Sequence, residues 1–244
     1  MEQWVAHFRD RQHNVITTIE NNFQKGNTIH SLKMTVDNVT FTGMSFDDFE
    51  LENEQDMVDT VNKFSIVKWG KNPNYYYALQ RYSLLVEIPV QAIEIQDNLA
   101  CTALIRFAFS FNEDTKKNSH DHLMLDDERV FPDIICCDSF SLIIGDKEYR
   151  CDNPSLDFET SLSEICRKIK SKYYLKCCFG CLYSDYSPYG NGCFATMLCF
   201  LNVADQYIHV SGKYGDNKGI SIWEVHDNGE QKQETYVCEN LSRE

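Results

Sequence analysis

The sequence predicts an α+β fold in which an N-terminal antiparallel β-sheet or sandwich precedes an α+β C-terminal region with a zinc-knuckle-like cysteine cluster. Residues 81–96 and 100–112 alternate apolar and polar side chains, apolar residues take helical spacing after Asn153, and cysteines crowd residues 177–193. Alternation is typical of half-buried strands, and three-to-four spacing is typical of amphipathic helices. We therefore divide the chain into a β-rich region, 1–152, and an α+β region, 153–244, which share one core.

The first strands are predicted from short turn signals between alternating segments. "IHSLKMTVDNVTFTG" at residues 29–43 contains Asp37-Asn38, a pair that favours a tight turn between two strands. "KFSIVKW" at residues 63–69 is rich in β-branched and aromatic residues, which favours a further strand.

Two hairpins are predicted in the middle of the chain. The long alternating segments are separated by residues 96–98, "QDN", which indicates a turn and makes the two strands neighbours. "DSFSLIIGDKEYRC" at residues 138–151 predicts a second hairpin around Gly145-Asp146. Between them, the polar residues 113–128 predict a long exposed connection.

The pattern becomes helical at residue 153. Asn153 suits a helix N-cap and Pro154 the first helical position. The apolar residues at helical spacing are Phe158, Leu162, Ile165, Cys166 and Ile169. A strand at "YYLKCCFG", a helix within "NVADQYIHVSGK" that ends at Gly212, and a short strand at "ETYVCENL" complete the prediction.

Composition and charge bear on the partners and the compartment of the protein. The 244 residues include 23 basic and 37 acidic side chains, for a net charge of −14. This charge disfavours nucleic acid and anionic membranes as partners, and it favours a basic protein partner. No segment approaches the roughly 20 apolar residues of a spanning helix, and we expect a cytoplasmic protein. In that reducing compartment the eleven cysteines are thiols or metal ligands.

Cys178 and Cys181 form a C-x-x-C pair, which can supply half of a tetrahedral zinc site. The pair could equally consist of buried structural cysteines. A redox-active pair is disfavoured because a loop follows it, whereas a thioredoxin-like motif opens a helix. Candidates for the two further ligands are Cys177, Cys193, Cys199, Cys238, His209 and His226.

The segment "SDYSPYGNG" at residues 184–192 follows the knuckle. Its proline and glycines favour a turn that closes over the cysteines. Alternatively, it is an exposed recognition loop, because tyrosine offers a large contact area at a small entropic cost. That loop would present Asp185, Tyr186, Ser187 and Tyr189 to a partner.

Three motifs together resemble an uncharacterised bacterial family, known as a domain of unknown function: "CFGCLYSDYSPYG", the "CF" of Cys199-Phe200, and the terminal "QETYVCENLSR". The resemblance implies that Cys178, Cys181, Cys199 and Cys238 belong to the family pattern. It therefore favours these four as the ligands of a structural zinc ion over Cys177 and Cys193. The family implies no activity.

Three functions are compatible with these observations. The first is a non-enzymatic binding or interaction protein with a structural four-cysteine zinc site. The second is an acidic immunity or antitoxin-like protein that neutralises a basic toxin. The third is a cysteine-dependent enzyme, with Cys178 or Cys193 as nucleophile and His209 or His226 as base.

Overall fold

A computed structural model of the chain describes residues 2–23, 30–53, 55, 57–71, 74–112, 134–188, 193–194, 196–216, 219–239 and 241. Within these residues the α-helical segments are α1 (Met57–Thr60), α2 (Phe158–Ile169) and α3 (Ala204–Tyr207). The strands are β1 (Glu2–Arg9), β2 (Asn14–Asn21), β3 (Leu32–Val36), β4 (Val39–Gly43), β5 (Glu50–Leu51), β6 (Ser65–Lys71), β7 (Asn74–Gln80), β8 (Ser83–Glu94), β9 (Leu99–Asn112), β10 (Ile134–Ile144), β11 (Lys147–Arg150), β12 (Tyr173–Leu175), β13 (Ser184–Tyr186), β14 (Thr196–Cys199) and β15 (Glu230–Gln233).

The predicted α+β class is wrong, because the described chain is mostly β and is built around one large antiparallel sheet. Among the described residues this sheet has twelve strands, eleven of which follow the order β11-β10-β9-β8-β1-β2-β3-β4-β5-β7-β6. β12 pairs with the end of β8. A second sheet has the order β13-β14-β15.

Alternation of apolar and polar side chains explains the large sheet. Along β8, Leu84, Val86, Ile88 and Val90 are buried, while the residues between them are more exposed. Successive side chains of a strand point to opposite faces, so this pattern buries one face. The buried face packs into a core rich in aromatic rings, whose largest fully buried members include Trp4, Phe8, Phe41, Phe46, Phe107, Phe109, Phe140 and Phe158.

The turn predictions for the large sheet are confirmed. β8 and β9 pair from Ser83↔Ser110 to Glu94↔Leu99, with the turn at residues 95–98. Asp37 and Asn38 have positive φ values of 47° and 64° between β3 and β4. Gly145, at φ 57°, lies between β10 and β11. Such left-handed conformations suit Gly, Asn and Asp.

The predicted helix after residue 153 forms, but it begins later, at Phe158. Ser155 and Ser161 explain the delay. The Ser155 amide donates to Ser161 Oγ at 2.8 Å, and that hydroxyl donates back to Ser155 O at 2.9 Å. These bonds hold a non-helical turn before α2. The buried face of α2 then carries Phe158, Leu162, Ile165 and Ile169 into the main core.

The C-terminal helix and strand predictions are also corrected. The predicted helix near Gly212 is only a 3₁₀ turn, Leu201–Val203, followed by the single turn α3. The terminal strand is β15, which ends at Gln233 and therefore precedes "ETYVCENL". That segment instead bonds to the cysteine knuckle, with Cys178 N donating to Tyr236 O at 3.0 Å. The polar connection predicted at residues 113–128 lies outside the described residues.

Candidate functional site

The C-x-x-C pair forms a tight knuckle directly after β12. A 3₁₀ turn at Cys178–Gly180 follows extended backbone at Cys177. Cys181 N donates to Cys178 O at 3.0 Å, and Ser184 Oγ donates to Cys181 O at 3.0 Å and to Cys178 O. Because a side chain satisfies carbonyls that a longer helix would have used, the knuckle is a defined structure rather than an open loop.

Two later segments of the chain meet this knuckle. β14 pairs with β13 so that Cys199 lies opposite Ser184. The terminal segment accepts backbone hydrogen bonds from the knuckle, because Cys178 N donates to Tyr236 O and Phe179 N donates to Glu234 O at 3.1 Å. These contacts bring Cys199 and Cys238 into the neighbourhood of Cys178 and Cys181.

Electrostatics place the four thiols in one group. Burial, followed by the neighbouring thiols of Cys199, Cys238 and Cys181, raises the pKa of Cys178 to about 12, and Lys232 acts in the opposite direction. Among the described residues, however, no three His, Cys, Asp or Glu side chains are close enough to hold a metal ion. Charge interactions act over longer distances than metal–ligand bonds, so the thiols are neighbours without having ligand spacing.

Cys177 and Cys193 differ from those four. Both are buried and belong to the core under the large sheet. Burial, with Cys166 next in importance, raises the pKa of the Cys177 thiol above its ordinary range. Burial and then Asp47 do the same for the pKa of Cys193, whose backbone amide donates to Asp47 Oδ1 at 3.3 Å. These thiols are core groups that stay protonated at neutral pH.

Part of the segment predicted as a turn or recognition loop makes contacts within the protein. Asp185 and Tyr186 lie in β13, where the Tyr186 hydroxyl donates to the buried carboxylate of Glu234. Burial, followed by Glu234, raises the pKa of Tyr186 well above its usual range. Ser187 is half-buried, and Tyr189 lies outside the described residues. Tyr186 is therefore directed inward rather than towards a partner.

The two histidines considered as bases lie in the segment between β14 and β15. His226 Nδ1 is 2.8 Å from Trp223 O, and its Nε2 is 3.1 Å from Asp227 Oδ1. His209 O accepts a backbone hydrogen bond from Ile220 N at 2.8 Å. This segment packs around a small second core made of Leu198, Phe200, Ile222 and Val225.

A buried amide pair joins the two sheets, and sequence analysis did not find it. Asn21 Nδ2 donates to Gln233 Oε1 at 2.7 Å, and Gln233 Nε2 donates back to Asn21 Oδ1 at 3.0 Å. The two residues are 212 positions apart, so no local pattern could reveal the pair. Beside it is an open pocket of about 220 Å³, lined by Glu2, Asn21, Phe23, Gln233, Thr235, Tyr236 and Val237.

Comparison with known proteins gives a family but no function. No curated protein and no solved structure matches the chain. The model of a family described as "Family of unknown function (DUF6304)" matches residues 2–184, which include Cys178 and Cys181 but neither Cys199 nor Cys238. Membership of an uncharacterised family is thus confirmed, whereas the C-terminal part of the motif lies beyond the match. The chain belongs to this family of unknown function.

Proposed function

We propose that the chain is a cytoplasmic, non-catalytic binding protein whose C-terminal region is held by a structural zinc ion at Cys178, Cys181, Cys199 and Cys238. One observation carries the proposal. Besides Cys181, which the C-x-x-C spacing places beside it, Cys178 has the thiols of Cys199 and Cys238 as neighbours, and both act on its pKa. The segments that carry them meet the knuckle through the Ser184–Cys199 pairing and the bond from Cys178 N to Tyr236 O. All eleven cysteines are free thiols, and no helix in the described residues is long and apolar enough to cross a membrane.

A bound zinc ion would compensate the cost of burying thiolate charge at Cys178. Cys178 is 2% exposed, and an uncompensated thiolate there is costly, which is why its pKa is raised. A bound Zn²⁺ would displace thiol protons and neutralise the thiolate charges. Four thiolates fill the tetrahedral coordination of zinc, so such a site would be structural. Binding energy would then be folding energy for the knuckle and the terminal segment.

The same pKa values support a binding role over cysteine catalysis. A nucleophilic cysteine needs a lowered pKa, usually from a cation or a helix N-terminus. Here burial raises the pKa of both candidates, Cys178 and Cys193, and the neighbour of Cys193 is the carboxyl group of Asp47. Both environments favour the protonated thiol, which is a poor nucleophile.

Metal analysis of the purified protein tests the proposal. After reconstitution under reducing conditions, we expect one zinc ion per chain in the wild type and a large loss in Cys238→Ser. Cys193→Ser and Cys177→Ser are matched controls, because these cysteines are buried in the main core, and both should retain zinc. Cobalt substitution should give a thiolate charge-transfer band that disappears only in the Cys238 variant.

Proton competition gives a second measurement. Because each ligand must lose its proton, zinc occupancy should fall as the pH is lowered. A wild type that takes up no zinc, or a Cys238→Ser protein that holds as much as the wild type, would refute the site.

A further inference from the structure

The two ends of the large sheet differ in what they offer to another strand. Among the described residues, β6 at one end pairs only with β7, and its seven residues leave one backbone edge free. β11 at the other end has four residues. A free edge exposes N–H and C=O groups that can accept an added strand, and a longer edge supplies more of them.

The β6 edge is also an exception to the charge of the chain. Residues 61–81 contain Lys63, Lys68, Lys71 and Arg81 and no aspartate or glutamate, whereas the whole chain has a net charge of −14. Lys63 is bound by Asp37, with Nζ 2.8 Å from Oδ2. Lys68 lies in the middle of β6 and is exposed. The edge is therefore locally basic on an acidic protein.

Aromatic side chains hold Lys68 in place. Its Nζ lies 3.6 Å from the centroid of the Tyr75 ring and 5.9 Å from that of Tyr77. On the other face of the hairpin, Trp69 pairs with Tyr76, which is 48% exposed. Both rings belong to β7, so the ammonium group is held on the face of the β6–β7 hairpin, beside the free edge. A cation over aromatic rings loses less side-chain freedom on binding than a mobile lysine, so this charge is pre-positioned.

We propose that the β6 edge binds an extended acidic segment of a partner protein by strand addition. The backbone of β6 would supply the hydrogen bonds, and Lys68 would supply the preference for acidic side chains. A second copy of the chain is a poor occupant, because two β6 strands would bring their lysines together. Nucleic acid is disfavoured because its dense negative charge meets the −14 charge of the whole protein.

The opposite edge of the large sheet, β11, differs from the β6 edge in its charges. At β11, Lys147 lies 4.6 Å from the centroid of the Tyr149 ring, which resembles the arrangement at Lys68. There, however, Glu148 lies within the strand and binds Arg150, with Nη2 2.7 Å from Oε2. This edge is short and carries both signs of charge. Lys147 is therefore a matched control for Lys68.

Labelled synthetic peptides test the proposal by fluorescence anisotropy. One seven-residue peptide alternates valine with glutamate, a second alternates valine with lysine, and a third is the acidic peptide with an N-methyl group on every residue, which removes the backbone donors from both of its edges. We expect the acidic peptide to bind, and the other two to bind at least about tenfold more weakly, since one has the wrong charge and one cannot form the backbone ladder.

Two variants locate the binding. Lys68→Glu should weaken binding of the acidic peptide by about tenfold or more and improve binding of the basic one, whereas Lys147→Glu should change neither. Equal binding of the N-methylated peptide, unchanged binding in Lys68→Glu, tighter binding of a single-stranded oligonucleotide, or no acidic-peptide binding would each overturn the proposal. This inference rests on the proposed binding role but not on the zinc site. Loss of zinc would therefore not refute strand addition, and loss of peptide binding would not refute the zinc site.

Discussion

The large sheet and the C-terminal small sheet are stabilised in different ways. The large sheet buries a continuous interior in which Trp4, Phe8, Phe46 and Phe107 are at most 1% exposed. Within the part of the chain that the structure describes, the small sheet, β13–β15, packs on an apolar cluster of four buried residues. It depends instead on polar contacts, of which the Tyr186–Glu234 bond and the buried Asn21–Gln233 pair are examples.

This difference shows where a metal ion would matter. Apolar burial of roughly 25 cal/mol per Å² can stabilise the large sheet without help, whereas a small apolar core supplies little. The four thiols lie in the region with the small core, not in the large one. A structural zinc ion would therefore add folding energy where hydrophobic burial is weakest.

Removal of a central ring should destabilise the large sheet most. Phe107 is fully buried, and its ring centroid lies 6.0 Å from that of Phe46 and 5.7 Å from that of Phe158 in α2. Phe107→Ala should lower the free energy of unfolding by about 3–5 kcal/mol. Urea denaturation followed by circular dichroism measures this. A loss below about 1 kcal/mol would show that the aromatic interior is not the main source of stability.

The loop between β4 and β5 bonds to Cys193 and Phe194, which precede β14 and lie in the main core, and it should make stability depend on pH. Asp47 Oδ1 accepts from Cys193 N, and Ser45 Oγ accepts from Phe194 N at 2.9 Å. Burial raises the pKa of Asp48 to about 7, although the amides of Ser45 and Met44 donate to its carboxylate. The folded protein therefore keeps a proton that the unfolded chain loses above pH 3.8.

The free energy of unfolding should consequently fall as the pH rises from about 4 to 7, by at most roughly 4 kcal/mol from this group. Asp48→Asn keeps an oxygen acceptor for the two amides but cannot ionise, so its stability should vary less over that pH range. Glu52→Gln, on the partly exposed Lys33–Glu52 pair, is the control and should keep the wild-type slope. Parallel slopes for wild type and Asp48→Asn would contradict the prediction.

The smallest loss of stability should come from a substitution confined to the small sheet. Tyr186→Phe removes the hydroxyl that donates to Glu234, a carboxylate that is fully buried. We expect a local loss of about 1–3 kcal/mol. Hydrogen exchange should become faster in β13, β14 and the knuckle and stay unchanged in β8 and β9. Equal acceleration in both sheets would mean that they unfold as one unit.

The large sheet was the part of the fold that sequence could predict best. Alternation over residues 81–112 and the turn residues Asp37, Asn38 and Gly145 identified strands and hairpins, because the side-chain period and positive φ are local properties. The strands β1 and β2 were not predicted. Burial alternates strictly from Trp4 to Phe8 in β1 but only partly in β2.

Other features were decided by tertiary structure. The helix predicted within "NVADQYIHVSGK" is replaced by a 3₁₀ turn and the single turn α3, whose Tyr207 packs on the small core. The start of α2 was set by the bonds between Ser155 and Ser161.

The sequence by itself offered candidate metal ligands, because the C-x-x-C spacing and thiol chemistry are local. Only the tertiary structure brought Cys199 and Cys238 into the neighbourhood of that pair, through the register of β14 and the backbone bonds to Tyr236 and Glu234. The same holds for Glu234, Asn21 and Gln233, whose partners are distant in sequence. Long-range pairing depends on the total burial and hydrogen bonding of the folded chain, which no short window of sequence contains.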